Sequence, residues 1–201
     1  MAEILEIDLK NQSTGDLHPS IVRDVDLVKD VLSWYTDWFP EMYDLSGNRI
    51  YEDSHWKVPE LWEYSVRETN DKVLVIENDG KIQGYTILKV SEYIGVDGNP
   101  CSYVKFLASA PWNRKKQKEV ERLYCNTGKM LLAACIVVGY WTIKNTALEL
   151  ESLPNAEKFY RKCGMLPTGR QKNGMLQYRL DGKASILFFE KVKTFIRPRR
   201  V

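Results

Sequence analysis

A chain of 201 residues with 44% apolar content and 28% mixed charge has the means to bury one globular core, which excludes a disordered polymer and favours one domain over two small ones. The formal charge of only +2 supplies no global field for nucleic acid or membrane, and the basic runs "NRKKQKEVER" (113–122) and "RPRR" (197–200) read as local solvated faces. Four cysteines without CxxC spacing and two histidines speak against structural zinc or a disulfide framework, in keeping with a reducing compartment.

The opening "MAEILEIDLKNQS" carries acids and no apolar core of a signal peptide, so a cytoplasmic location is expected, and "ILEIDL" reads as a short strand. From Ser20, "SIVRDVDLVKDVLSWYTDWF" sets Val28, Val31, Leu32, Tyr35 and Phe39 at helical spacing, closed by Pro40 and "DLSGN". A second helix is predicted over "PELWEYSVRET", with Pro59 in the first turn, where its missing N–H costs nothing.

The period then changes. "KVLVIENDGKIQGYTILKV" is two β-rich runs around Asp79-Gly80, a hairpin signal because both residues tolerate positive φ. "CSYVKFLAS" (101–109) follows as a third strand, then a polar insert, then "NTGKMLLAACIVVGYWTIKN" as a long buried helix whose apolar run is too short to span a bilayer. "TALELES" is the next strand and "NAEKFYRKCGM" (155–165) the next helix. "NGMLQYRLDGKASILFFEKV" is read as a final hairpin turning at Asp181-Gly182. The implied fold is α+β (mixed α/β): a central sheet with antiparallel arms and one parallel strand–helix–strand unit, flanked by about four helices. Residues 1–192 would form this single domain and 193–201 a basic tail.

Three segments carry residue types that chemistry uses. In Ala147–Glu151, alternation sets Leu148 and Leu150 on one face and Glu149 and Glu151 on the other. Two carboxylates on an inner strand are expensive to bury, so that face belongs to a wet sheet edge or to a cleft that draws positive charge. "CNTGKMLL" opens a helix with small residues. Its unpaired first amides, the helix dipole and Lys129 would suit a pyrophosphate, although a glycine at a helix start also serves geometry alone. In "NAEKFYRKCGM", Asn155 as N-cap and Gly164 after the last turn bracket a helix with Ala156, Phe159, Tyr160 and Cys163 on one face. Tyr160 is then either a core aromatic or a placed hydroxyl, and if buried it needs a partner.

Taken in order, these pieces resemble the GCN5-related N-acetyltransferase (GNAT) family, over roughly residues 20–192. "YVKFLAS" with "LYCNTGKMLL" looks like the family's fourth strand and pyrophosphate loop, of pattern (Gln/Arg)-x-x-Gly-x-(Gly/Ala). "ALELES" looks like its fifth strand, and "NAEKFYRKCGM" matches its Asn…Ala-x-x-Phe-Tyr-x-x-x-Gly-Phe segment. The resemblance implies an acyl-CoA N-acyltransferase-like fold that binds acetyl-CoA between splayed parallel strands and transfers its acetyl group to an amine by direct attack. The backbone of Leu107, Ala108 and Ser109 would face the pantetheine, and the amides of Asn126, Thr127, Gly128, Lys129 and Met130 the pyrophosphate. Asn155 would lie by the pantetheine arm. Tyr160 would be the general acid at the sulfur, with Glu149 or Glu151 the base for the amine, and no metal is implied.

This sequence departs from the pattern at two places. Asn126 stands at the first Gly position, where its tolerance of left-handed backbone would preserve the turn, and Leu123 stands where Arg or Gln is usual, one residue after Arg122. Arg114, Lys115 and Lys116 on the insert either contact the CoA phosphates or are solvated. The acceptor wall would be "WYTDWFPEMYDLSGNRIYEDSHW". There Trp34, Tyr35, Trp38, Tyr43, Tyr51 and Trp56, with Asp37, Glu41, Asp44, Glu52 and Asp53, form either an aromatic, acidic pocket for a cationic amine or a mixture of core and wetted surface. His55 reads as a surface residue. An inactive acyl-CoA-binding sensor of the same fold is the alternative function. Expected partners are acetyl-CoA and an amine acceptor, not membrane or nucleic acid, with the chain a monomer or homodimer.

Overall fold

The computed structural model describes residues 2–69, 71–91, 93–114 and 122–197. Strands β1 (Glu3–Lys10) and β2 (Leu17–Asp24) pair antiparallel, and α1 (Lys29–Ser33) runs on through a wide π turn (Trp34–Trp38) and a 3₁₀ turn (Phe39–Met42). A 3₁₀ turn at Glu52–His55 leads into α2 (Val58–Arg67), which has Pro59 in its first turn. The hairpin β3 (Lys72–Asn78) and β4 (Lys81–Lys89) follows, turning at Asp79 and Gly80 with φ of 48° and 76°. Then come β5 (Ser102–Ser109), α3 (Thr127–Ile143), β6 (Leu148–Ser152), α4 (Glu157–Lys162), the hairpin β7 (Leu166–Lys172) and β8 (Met175–Leu180), and α5 (Gly182–Val192).

All eight strands join one sheet in the order β1-β2-β3-β4-β5-β6-β8-β7, antiparallel throughout except for β5 against β6. This is the expected mixed architecture. Apolar residues cover both faces of the sheet. One core gathers around α3, whose residues from Met130 to Ala134 are fully buried because that helix is apolar on all sides. The other is aromatic: Trp34, Trp38, Trp62 and Tyr85 stack with ring centroids 4.9 to 6.1 Å apart.

Three sequence expectations are corrected here. Ser20–Asp24 belongs to β2, not to a helix, because it fills the gap between β1 and β3. The predicted apolar face of the next helix points largely outward, with Val28 84% and Leu32 65% exposed, because Trp34 and Trp38 bury more area and claim the core side. "ASILFFE" is helix and not strand: Asp181 is an N-cap whose carboxylate accepts from the Ala184 amide at 2.7 Å, and the hairpin turns instead at Asn173-Gly174. The segment after α5 is also docked as far as it is described. Ile196 bridges Ile7 of β1, and Arg197 donates to Asp8 Oδ1 at 2.7 Å; the rest of "RPRR" lies outside the described residues.

A buried ion pair fixes α1 to the sheet. Arg23 on β2 reaches Asp30 through two nitrogens at 2.7 and 2.8 Å and Glu77 on β3 at 2.7 Å. Burial alone would lower the guanidinium pKa, but the hydrogen bonds and charges of both carboxylates outweigh it and raise it. Asp30→Ala leaves this cation half-compensated. Urea denaturation should show a loss of about 3 kcal/mol with an unchanged m value.

Candidate active site

The site begins with one extra residue in β5. Ile87 of β4 faces Phe106 and Leu88 faces Val104, so Lys105 bulges out of the ladder. A bulge bends and twists its strand. Parallel pairing with β6 covers only Ser102↔Leu148, Tyr103↔Glu149 and Val104↔Leu150, and ends at the bulge. Beyond it, Leu107, Ala108 and Ser109 pair with β4 on one edge and line a pocket of about 600 Å³ on the other.

The first turn of α3 closes one end of this pocket. Thr127 is 2% exposed and lines it, and its Oγ1 has no hydrogen-bond partner. The Lys129 and Met130 amides both donate to the Asn126 carbonyl, at 3.0 and 3.1 Å. The Thr127 and Gly128 amides make no backbone hydrogen bond among the described residues and carry the positive end of the helix dipole. Gly128 leaves room for Phe159 of α4, whose Cζ would stand 3.0 Å from a Cβ there.

Asn126 does not act as expected. Its φ is −114°, so no left-handed turn is needed. Its side chain instead accepts from the Lys10 amide at 2.9 Å and donates to the Asp8 carbonyl at 2.9 Å, bracing the loop on β1. A second brace closes the insert. Asn113 Nδ2 donates to the Gln83 carbonyl at 3.1 Å, and Asn113 Oδ1 accepts from the Tyr124 amide at 3.0 Å, so the chain leaves and returns at one point.

α4 presents Tyr160 to the pocket. The helix ends in a Schellman motif: Met165 N–H reaches the Tyr160 carbonyl at 3.1 Å and Gly164 N–H the Arg161 carbonyl at 3.0 Å, with Gly164 at φ 90°. Asn155, however, is not the N-cap; it sits in a 3₁₀ turn (Pro154–Ala156) at the pocket wall. Tyr160 is 6% exposed and its hydroxyl makes no hydrogen bond among the described residues. Burial first, and then neighbouring Cys163 and Cys135, push its pKa well above the ordinary phenol value, so it stays protonated.

The remaining wall comes from residues 50–56. Arg114 donates to both Asp53 oxygens at 2.6 and 2.8 Å and to the Ser109 carbonyl at 2.6 Å, clamping this wall to the end of β5. The Tyr51 ring lies 4.6 Å from that guanidinium. Of the expected acceptor aromatics, Trp34 and Trp38 are core, whereas Tyr51 and Trp56 line the pocket with Glu52 and Asp53. His55 is exposed, with Nδ1 2.7 Å from the Glu52 carbonyl.

The pocket thus brings together Leu107, Ala108, Ser109, Thr127, Gly128, Asn155 and Tyr160. It does not bring in Asn126, Lys129, Met130, Glu149 or Glu151. Lys129 is exposed and Met130 is in the core. Glu149 is 0% exposed, accepting from Tyr93 Oη and the Val96 amide at 2.8 Å each and from Gln177 at 3.1 Å, and ion-paired with Arg179. Neither a wet edge nor a cleft was needed: Arg179 on β8 compensates the carboxylate. Glu151 lies close enough to Tyr103 to help burial raise its phenol pKa. Arg114 is held by Asp53, and Lys115 and Lys116 lie outside the described residues. Phe159, Tyr124 and Cys125 line the pocket without having been singled out for it; only the register of the folded loop could reveal them. Among the described residues no three or more His, Cys, Asp or Glu are grouped to hold a metal, and no helix is long and apolar enough to cross a membrane.

No family model matches this sequence, and neither does any curated protein. Solved structures do match. A protein ascribed to the GNAT family from Desulfovibrio desulfuricans superposes with a TM-score of 0.57 at 17% identity, over 81% of this chain and 98% of its own. The AtaTR assembly bound with AcCoA matches with a TM-score of 0.54 at 16% identity, over 85% of this chain and 98% of that one. The chain has the GNAT fold. An uncharacterized Bacillus halodurans protein shares it over 96% of this chain and 98% of its own, with a TM-score of 0.58 at 13% identity. Against the GNAT loop pattern, the Asn126 brace is a local solution. Asn126→Ala, and equally Asn126→Gly, should unpair two backbone groups and cost about 2–4 kcal/mol, read by urea denaturation.

Proposed function

We propose that this chain is an N-acetyltransferase that moves an acetyl group from acetyl-CoA to a primary amine by direct attack in a ternary complex. The observation that carries the reading is the buried, unpartnered Tyr160 hydroxyl on the same pocket as the open edge of β5 and the first turn of α3. The orphaned Thr127 Oγ1 and the Thr127 and Gly128 amides fit a pyrophosphate. The backbone edge at Leu107, Ala108 and Ser109 fits an extended amide-bearing arm. A structural neighbour bound with AcCoA supports the same assignment.

Acetyl-CoA supplies the acetyl group as a thioester. Tyr160, which burial keeps protonated at neutral pH, donates its proton to the departing sulfur. Asn155 lines the arm's path, and the Arg114 clamp keeps the acceptor wall in register with β5. A covalent route through Cys135 or Cys163 is disfavoured. Burial pushes the thiols of Cys135 and Cys163 up to about 12 and about 11, leaving little thiolate.

The test follows thiol release from acetyl-CoA with a panel of primary amines. Turnover is expected, and Tyr160→Phe should lower kcat about 100-fold or more while CoA affinity and melting temperature stay the same. Because Tyr160 remains protonated, kcat should show no falling limb from it below about pH 10. CoA binding without acetylation of any amine would support the sensor alternative. Full activity in Tyr160→Phe would remove the proposed acid.

A further inference from the structure

We infer that Glu52 receives the acceptor's ammonium group and takes its proton, so that the acceptor is a cationic primary amine borne on an apolar stem; this rests on the acetyltransferase reading above. Among the described residues, four charged side chains line the pocket: Glu52, Asp53, Arg114 and Arg122. Asp53 and Arg114 neutralise each other through a two-point pair and are fixed to Ser109. Arg122 belongs to the segment that leads into α3, on the side suited to anions. The carboxylates of β6 are engaged elsewhere. Among the described residues, Glu52 is the acid left over.

Its setting fits that role. The carboxylate is exposed, and its contact with the Asn155 amide is long, at 3.4 Å, so it keeps most of its accepting capacity. That contact crosses from the acceptor wall to the turn before α4, the helix that carries Tyr160. Trp56 lines the same pocket, packed edge-on against Phe106 of β5 with ring centroids 4.8 Å apart, and Ile50 and Leu153 add apolar lining. An aromatic, apolar wall ending in one carboxylate selects an ammonium on a hydrophobic stem. The buried Thr127 hydroxyl has no partner and the Tyr160 hydroxyl makes no hydrogen bond among the described residues; both open on the same pocket and mark it as a ligand site.

The proton balance is complete with these groups. The ammonium loses one proton to Glu52, which passes it to solvent, and the freed lone pair forms the C–N bond. The C–S bond breaks and the sulfur takes the Tyr160 proton. The nitrogen's second surplus proton restores Tyr160. The products are the amide, the thiol and one released proton.

The experiment compares phenethylamine, a cation at neutral pH, with aniline, which is uncharged there and has no ammonium proton to lose. In Glu52→Gln, kcat/KM should fall about 100-fold for phenethylamine and less than about threefold for aniline, with CoA affinity unchanged. Equal losses for both amines, or no loss, would overturn the assignment. A second arm needs no turnover: calorimetry of phenethylamine into the CoA-loaded protein should detect binding that Glu52→Gln abolishes. No binding to the wild type, or equal binding to the variant, sinks the Glu52 role. Failure of the wild type to bind CoA at all sinks the acetyltransferase reading instead.

Discussion

The single extra residue in β5 is the constraint on which the rest of the molecule depends. With Lys105 out of the ladder, the strand bends, and its parallel partner cannot follow beyond Val104. Two consequences come from that one irregularity. A backbone edge is released at Leu107–Ser109 inside an otherwise paired sheet, and a space opens into which α3 and α4 can both direct their ends. An unpaired edge in a sheet is ordinarily a liability. Here it lines a pocket and faces no neighbouring strand.

Everything around the gap is braced from outside it. Asn126 ties the loop before α3 to β1, Asn113 ties the insert to Gln83 and Tyr124, and Arg114 ties the pocket wall at Asp53 to Ser109. Each brace uses polar side chains to satisfy backbone groups that would otherwise be buried and unpaired. Thr127 Oγ1 is buried without a partner on the pocket itself, where the Tyr160 hydroxyl also makes no hydrogen bond among the described residues; Trp62 Nε1, Tyr85 Oη and Ser102 Oγ are unpartnered away from it. A pocket-lining polar group without a partner is a group that a ligand can satisfy.

Local signals were the legible ones. Asp79-Gly80 announced its hairpin, the uniformly apolar run from Met130 announced a buried helix, and the spacing of Phe159, Tyr160 and Cys163 announced their shared face. Of the pocket, the β5 edge, the start of α3 and Tyr160 were readable from strand–helix order and the family pattern. What failed was non-local or ambiguous. Glu149 looked like a cleft residue because its compensating Arg179 lies on another strand, which chain order alone does not put beside it. Asp181-Gly182 can turn a hairpin or cap a helix, and the nearby Asn173-Gly174 had already taken the turn. The helix of Trp34 and Trp38 was read from the spacing of Val28, Val31, Leu32, Tyr35 and Phe39, although the two tryptophans decided which side went inward. Glu52 was one of five acids read along the acceptor segment, and the pairing of Asp53 with Arg114 is what sets it apart from its neighbour.

The central claim is that the gap between β5 and β6 is an acyl-CoA site. Calorimetric titration of the full chain with CoA, alongside pantetheine lacking the phosphates, tests it most directly. The account predicts saturable one-to-one binding of CoA, markedly weaker binding of pantetheine, and a loss of CoA affinity on Thr127→Val, which deletes the one buried hydroxyl at the start of α3. No detectable CoA binding, or binding indifferent both to the phosphates and to Thr127, would contradict it.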